Sequence, residues 1–111
     1  MHLEEHAEGA VMVVAPVGRL DSATSPDLSV RLDQLADGGG QRLVLDLARV
    51  DFVSSAGLRA ILSALKRLKG GHGDLALCSV QPPVQEVLEI SGFASLLQIH
   101  PGRAAAIEAL A

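Results

Sequence analysis

Short runs rich in Val and Leu alternate along this chain with segments whose apolar residues recur every three or four positions. That alternation constrains the fold more than any single residue does. Continuous or alternating apolar runs make strands, and stripes of period 3.6 make helices. Leu3 to Ala7 suits a short edge strand, with a turn at Glu8-Gly9. Ala10 to Val17 is short and Val-rich and reads as a buried strand. Gly18 to Pro26 reads as a loop, because Gly, Asp, Ser, Thr and Pro cluster there. Ser25 is expected as a helix N-cap, with Pro26 at the first helical position. Leu28, Leu32 and Leu35 carry that helix to Gly38-Gly39-Gly40. Arg42 to Leu47 reads as a central strand and Asp51 to Ser55 as a loop. Ala56 opens a helix whose apolar face is Leu58, Ile61, Leu62, Leu65 and Leu68. Leu75 to Val80 is a further strand, and Pro82-Pro83 opens a helix that stops at Ser91-Gly92. Leu96 to Ile99 and Gly102 to Leu110 complete the pattern as strand and helix.

The predicted order is strand, strand, helix, strand, helix, strand, helix, strand, helix. Such alternation argues for an α/β fold with largely parallel strands joined by right-handed crossovers. Partners of such sheets meet the loops at the carboxyl ends of strands, here Gly18 to Ser25 and Asp51 to Ser55. A chain of 111 residues suits one domain, 1–111, and no repeat or linker divides it.

Composition narrows the function. Phe52 and Phe93 are the only aromatic residues, so the core must be aliphatic. A net charge of −4 and the lack of stacking side chains argue against a nucleic-acid binder. One cysteine, Cys78, excludes an internal disulfide framework and a multi-thiolate zinc site. It sits in an apolar strand and is expected to be buried and inert. His2, His6, His72 and His100 lack metal-ligand spacing, and no serine occupies a nucleophile elbow. Asp46 and Asp51 flank a strand end without forming an acid–base couple. The glycines at 70–73 follow a helix, so they stop it and do not form a phosphate loop. Neither a cofactor, a metal nor a catalytic site is expected. No run approaches the ~20 apolar residues that span a bilayer. Glu4, Glu5 and Glu8 stand where a leader would be basic and then apolar. A cytoplasmic protein without membrane insertion is the expectation.

The segment Val50-Asp51-Phe52-Val53-Ser54-Ser55-Ala56-Gly57-Leu58 lies between a buried strand and a clean amphipathic helix. Two readings of its serines are open and compatible. Ser54 or Ser55 can cap the helix through its hydroxyl. Either can instead accept a phosphate, whose charge of roughly −1.5 to −2 suits the donors and dipole of a helix N-terminus.

The stretch Leu43 to Leu65, LVLDLARVDFVSSAGLRAILSAL, resembles the signature of STAS domains, most closely the bacterial anti-sigma factor antagonists. Val17-Gly18-Arg19-Leu20-Asp21 with Ala23-Thr24 is similar to the family's first loop. Pro83-Val84, Leu88 and Ser91-Gly92-Phe93 are similar to its third strand and helix, so the resemblance spans about residues 11–99. It implies a mixed, mainly parallel sheet with helices packed mostly on one face. It also implies a phosphorylated serine at Ser55, with Ser54 a second candidate. The chain departs from the family pattern in one respect: Ser54 stands where an Asp usually precedes the acceptor, and Ala56 follows it.

The resemblance places Asp21 near the phosphoserine and the partner surface, while a turn residue is the alternative reading. Ser54, Ala56, Gly57, Arg59 and Ser63 complete the expected partner face, Arg59 and Ser63 following Ser55 at helical spacing together with Lys66. A merely solvated basic face is the alternative for Arg59 and Lys66. By resemblance, the unphosphorylated chain binds an anti-sigma factor that is itself a serine kinase and so releases a sigma factor. The kinase ends binding by modifying Ser55, a phosphatase restores it, and the chain is a monomer or weak dimer. The rival from the same fold is a constitutive interaction subunit, for example of a lipid-transport ATPase system. A small-ligand or nucleotide sensor using Gly18 to Asp21 ranks lower, because no glycine-rich phosphate loop is present.

Overall fold

A computed structural model describes all of residues 1–111. Its elements are β1 (His2–Glu8), β2 (Val11–Leu20), α1 (Ser25–Ala36), β3 (Arg42–Asp46), β4 (Val50–Val53), α2 (Ser55–Gly70), β5 (Asp74–Cys78), α3 (Pro82–Ile90), a short 3-10 turn (Phe93–Leu96), β6 (Gln98–His100) and α4 (Arg103–Leu110). Five strands run in the order β1-β2-β3-β5-β6, and β4 pairs with β2. Only β1 is antiparallel to its neighbour. The mixed, mainly parallel sheet is therefore the one the resemblance implied, and the alternation had given its α/β class.

Period-two alternation sorts the core into two layers. Leu43, Leu45, Leu75 and Leu77 point to one face and meet Leu28 and Leu32 of α1, Ile61 and Leu68 of α2, and Leu88 of α3. Val44, Ala76 and Cys78 point to the other face and meet Ala106 and Leu110 of α4. Three helices cover the Leu-rich face and one covers the face of smaller side chains. Fully burying a Leu stabilises the fold by roughly 1.5–3 kcal/mol, so an aliphatic core of this size needs no aromatic anchor. Asp46 joins the layers: its carboxylate accepts from Ala48 N at 3.0 Å and from Arg103 Nε at 2.9 Å, which fixes the start of α4. Cys78 is buried, and that burial pushes its thiol above the ordinary value.

Four local expectations are corrected. The segment Asp51 to Ser55 is not a loop: Val50–Val53 is a strand, and α2 starts at Ser55. Its Val50-in, Asp51-out, Phe52-out, Val53-in pattern does not alternate, which hid it. Nor does a loop begin at Gly18, because β2 continues to Leu20 to pair with β4. A register shift between Gly18 and Arg19 accommodates the change of partner, and Gly18 adopts φ +110°, which only glycine takes without strain. Third, Thr24 stands at the N-cap of α1, and Ser25 is its first residue, buried. Finally, residues 93–96 form the 3-10 turn, and the last strand starts at Gln98.

Candidate functional site

The parallel pairing of β2 with β4 sets Leu20 beside Val53, so both strands end together. Their carboxyl ends carry Asp21 and Ser54. The two strands are joined there by Ser54 N donating to Leu20 O at 2.8 Å. Helix α2 then leaves from this corner. Gly57 is what lets it leave so close to β2. A Cβ on Gly57 would lie 2.9 Å from Leu20 O and 3.0 Å from both Leu20 Cβ and Val53 Cγ1. The sequence therefore requires glycine for a close approach, not for an unusual backbone angle. Gly57 is buried, and its part in the site is to hold the corner shut.

The two serines divide the work. Ser54 has extended backbone (ψ 176°), and its Oγ accepts from Gly57 N at 3.3 Å, which makes it the N-cap. Ser55 is the first helical residue and is exposed. The first N–H groups of a helix have no internal partner, so an anion at Ser55 would meet unsatisfied donors. Of the two candidate acceptors, Ser55 is the one whose side chain the fold leaves free.

Asp21 closes its own loop. Its Oδ1 accepts from Ala23 N at 3.0 Å and from Thr24 N at 3.1 Å. Thr24 Oγ1 in turn accepts from Asp21 N at 3.0 Å and donates to Arg19 O at 2.6 Å. The hydrogen bond from the Thr24 backbone holds the Asp21 carboxyl below its usual range, with some desolvation opposing it and the Ala23 N–H assisting. The turn role is thus real, and it keeps a carboxylate at the corner. Arg19 lies 3.9 Å from Asp21 Oδ2 and stacks 4.1 Å from the centroid of the Phe52 ring. An exposed cation–π contact of this kind contributes about 0.5–1 kcal/mol. Phe52 is 37% exposed. Sequence reading missed Arg19 and Phe52 as site residues. The signal was the pairing of β4 with β2, which brings residue 52 alongside residue 19.

The remaining expected residues fall in a second place. Ala56, Arg59 and Ser63 line one wall of a shallow groove of about 330 Å³, and Ser22, Ser25 and Ser29 line the other. Arg59 and Ser63 are exposed, at the solvent side of that wall. Lys66 is exposed further along α2 and does not line the groove. So Asp21, Ser54, Ser55 and Gly57 form a corner, and Ala56, Arg59 and Ser63 run from it down a groove between α1 and α2. Ser22 falls in the Gly18 to Ser25 loop expected to meet partners, whereas Ser29 was not foreseen, because its place depends on which face of α1 meets α2. No group of three or more His, Cys, Asp or Glu side chains is placed to hold a metal. No helix is long and apolar enough to cross a membrane.

Comparison with known proteins agrees with this architecture. The family model for the STAS domain matches residues 3–106. A Bordetella bronchiseptica protein, BtrV, named as a candidate anti-sigma factor antagonist, is 41% identical over 99 residues, spanning 89% of this chain and 85% of that one. The anti-sigma F factor antagonist of Paenibacillus polymyxa is 32% identical over 107 residues, spanning 96% and 91%. The crystal structure of an anti-sigma factor antagonist from Mycobacterium paratuberculosis shares the fold, with a TM-score of 0.88 at 22% identity over 98% of this chain and 92% of that one. A buried sheet, a glycine-closed corner and a family match over nearly the whole length lead to one assignment: the chain is a STAS domain protein and belongs to the anti-sigma factor antagonist family.

Proposed function

We propose that this chain is a phosphorylation-controlled binding module. In its unphosphorylated form it holds an anti-sigma factor, itself a serine kinase, and so frees a sigma factor. Phosphate on Ser55 ends the binding, and a phosphatase restores it. The observation that carries this reading is the division of labour at the α2 corner: Ser54 is committed to the cap while Ser55 stands exposed at the first helical position. The family relatives named as anti-sigma factor antagonists support the partner class. The chain is the substrate of the chemistry and contributes no catalytic group.

The switch needs no refolding. A phosphate on Ser55 would add roughly −1.5 to −2 charges at the end of the sheet that also carries the Asp21 carboxylate. Arg59, one turn further along α2, offers partial compensation inside the free protein. A partner covering the corner must desolvate that phosphate or face it with its own acidic groups. Like-charge juxtaposition at an interface costs several kcal/mol. A penalty of ~3 kcal/mol weakens binding more than about a hundredfold.

Calorimetric titration of the anti-sigma factor tests the reading. Ser55→Ala should bind as wild type does and resist the kinase. Ser55→Asp, or protein phosphorylated to completion, should bind at least tens of times more weakly. Equal binding by all forms would remove the switch. The substitution of Ser54 for the usual Asp favours a second reading, a constitutive interaction subunit that uses the same corner and groove without modification. It predicts partner binding by Arg59 and Phe52 with no phosphate under any condition.

A further inference from the structure

Strand β1 is an edge, bonded to β2 on one side only. Its seven residues therefore present an unpaired row of backbone donors and acceptors, a template for another strand. Its charged residues are three glutamates, Glu4, Glu5 and Glu8, interleaved with His2 and His6. His2, Glu4, His6 and Glu8 lie opposite Val17, Ala15, Val13 and Val11 on the α4 face of the sheet. Leu3, Glu5 and Ala7 lie on the other face, where Glu5 meets Arg31 of α1.

Two copies of β1 can pair antiparallel about a two-fold axis, and each residue then stays on its own face. Residues of like parity must therefore meet. Centred on Glu4, the pairing sets His2 against His6 and Glu4 against itself. Centred on His6, it sets Glu4 against Glu8 and His6 against itself. Centred on Glu5, His2 faces Glu8, Glu4 faces His6 and Leu3 faces Ala7, and all seven residues pair. Only that register matches every histidine with a carboxylate, and an imidazole N–H donates to a carboxylate in either charge state. We infer that β1 is a self-complementary docking edge for a second copy of this chain, in the antiparallel register centred on Glu5.

The register would place the two Glu5 carboxylates face to face on the axis. Each arrives already paired: Arg31 Nε and Nη2 donate to it at 2.6 and 2.7 Å. Within one copy, His6 Nε2 lies 2.8 Å from Glu8 Oε1 and His2 Nε2 3.8 Å from Glu4 Oε1. Glu4 is also held by Arg49. Pairing extends these contacts into a ladder in which each imidazole faces a carboxylate both along and across the strands. Because the two sheets join antiparallel, the two Ser55 corners point to opposite ends of the assembly. Each remains open to its own partner.

Sedimentation equilibrium of the full chain, from micromolar to millimolar concentration, tests the inference. Wild type should dimerise reversibly. His6→Glu, which sets carboxylate against carboxylate, should weaken association about tenfold or more. The double variant Glu4→His with His6→Glu restores the cross-strand match and should restore the dimer. Cysteine crosslinking fixes the register independently, since Cys78 is buried. Directly opposed Cα atoms are about 4.5–5.5 Å apart, within disulfide reach, so Glu5→Cys should crosslink to itself. The two Leu3 positions would lie four residues, about 13 Å, apart, so Leu3→Cys should not. A chain that stays monomeric at millimolar concentration, a dimer indifferent to His6→Glu, or equal crosslinking at both positions would overturn the proposal.

Discussion

Helices α1 and α2 start from adjacent strand ends, each with a serine as its first residue, yet the two starts are built differently. At α2 the serine before the helix caps it, and the next serine is left exposed. At α1 the cap position is Thr24, in helical backbone (φ −100°, ψ −28°), and it makes no side-chain cap bond. Its hydroxyl is used instead by Arg19 and Asp21. The serine that follows, Ser25, is only 4% exposed, and its Oγ has no hydrogen-bond partner. The difference lies in where the loop's own polar groups go. Asp21 closes the turn before α1 from within, so the helix begins without a side-chain cap and its first serine is buried along the groove between α1 and α2. Nothing plays that role before Ser54, where the backbone is tied to Leu20, and Ser55 is left to solvent.

Gly57→Val should have the largest effect, because the new side chain would press against Leu20 and Val53. Overpacking of this kind costs about 3 kcal/mol, read as a shift in denaturant midpoint, and partner binding should fall with it. Ser54→Ala removes the α2 cap and should cost about 1 kcal/mol, with Ser54→Gly costing only a few tenths. The Ser55→Ala control should stay within about 0.5 kcal/mol of wild type, as an exposed position does.

Asp21 gives a dependence on pH. Its folded-state value is depressed by the Thr24 and Ala23 hydrogen bonds. Its contribution is therefore fully present above the unfolded value of about 3.9 and is lost as the pH falls through the lower folded value. Melting temperature measured across that acid range should fall less steeply for Asp21→Asn, which keeps an acceptor but does not titrate. A change of opposite sign is expected at α1. Ser25→Ala deletes a buried hydroxyl that bonds to nothing, so stability should be unchanged or rise by up to about 1 kcal/mol. A loss there equal to that of Ser54→Ala would erase the difference between the two helix starts.

Most of the architecture was legible because period sorts it. Leu43, Leu45, Leu75 and Leu77 alternate with smaller residues, and Leu58, Ile61 and Leu68 share one helical face. What escaped was set by long-range pairing. Val50–Val53 is four residues long, carries an aspartate and does not alternate, so only its bonding to the end of β2 makes it a strand. Ser25-Pro26 has the composition of a capped start, and the Asp21–Thr24 bonds override it. At the site, the Ser54–Ser55 corner is visible as a motif, whereas the need for glycine at 57 is explained by the Leu20 contact. The groove was half visible: Arg59 and Ser63 follow from helical spacing and Ala56 from the motif, whereas Ser29 depends on how α1 lies against α2.

The proposed switch rests on Ser55 being the modified residue, and one measurement reaches it even while the partner is unidentified. Intact mass and phosphopeptide mapping would be made on protein recovered from its native host in resting and in stressed growth. A single phosphate on Ser55, changing in occupancy between the two conditions and absent from Ser54, is the expected result. Protein that carries no phosphate in either condition, or carries it on Ser54, would contradict the assignment of Ser55 as the switch.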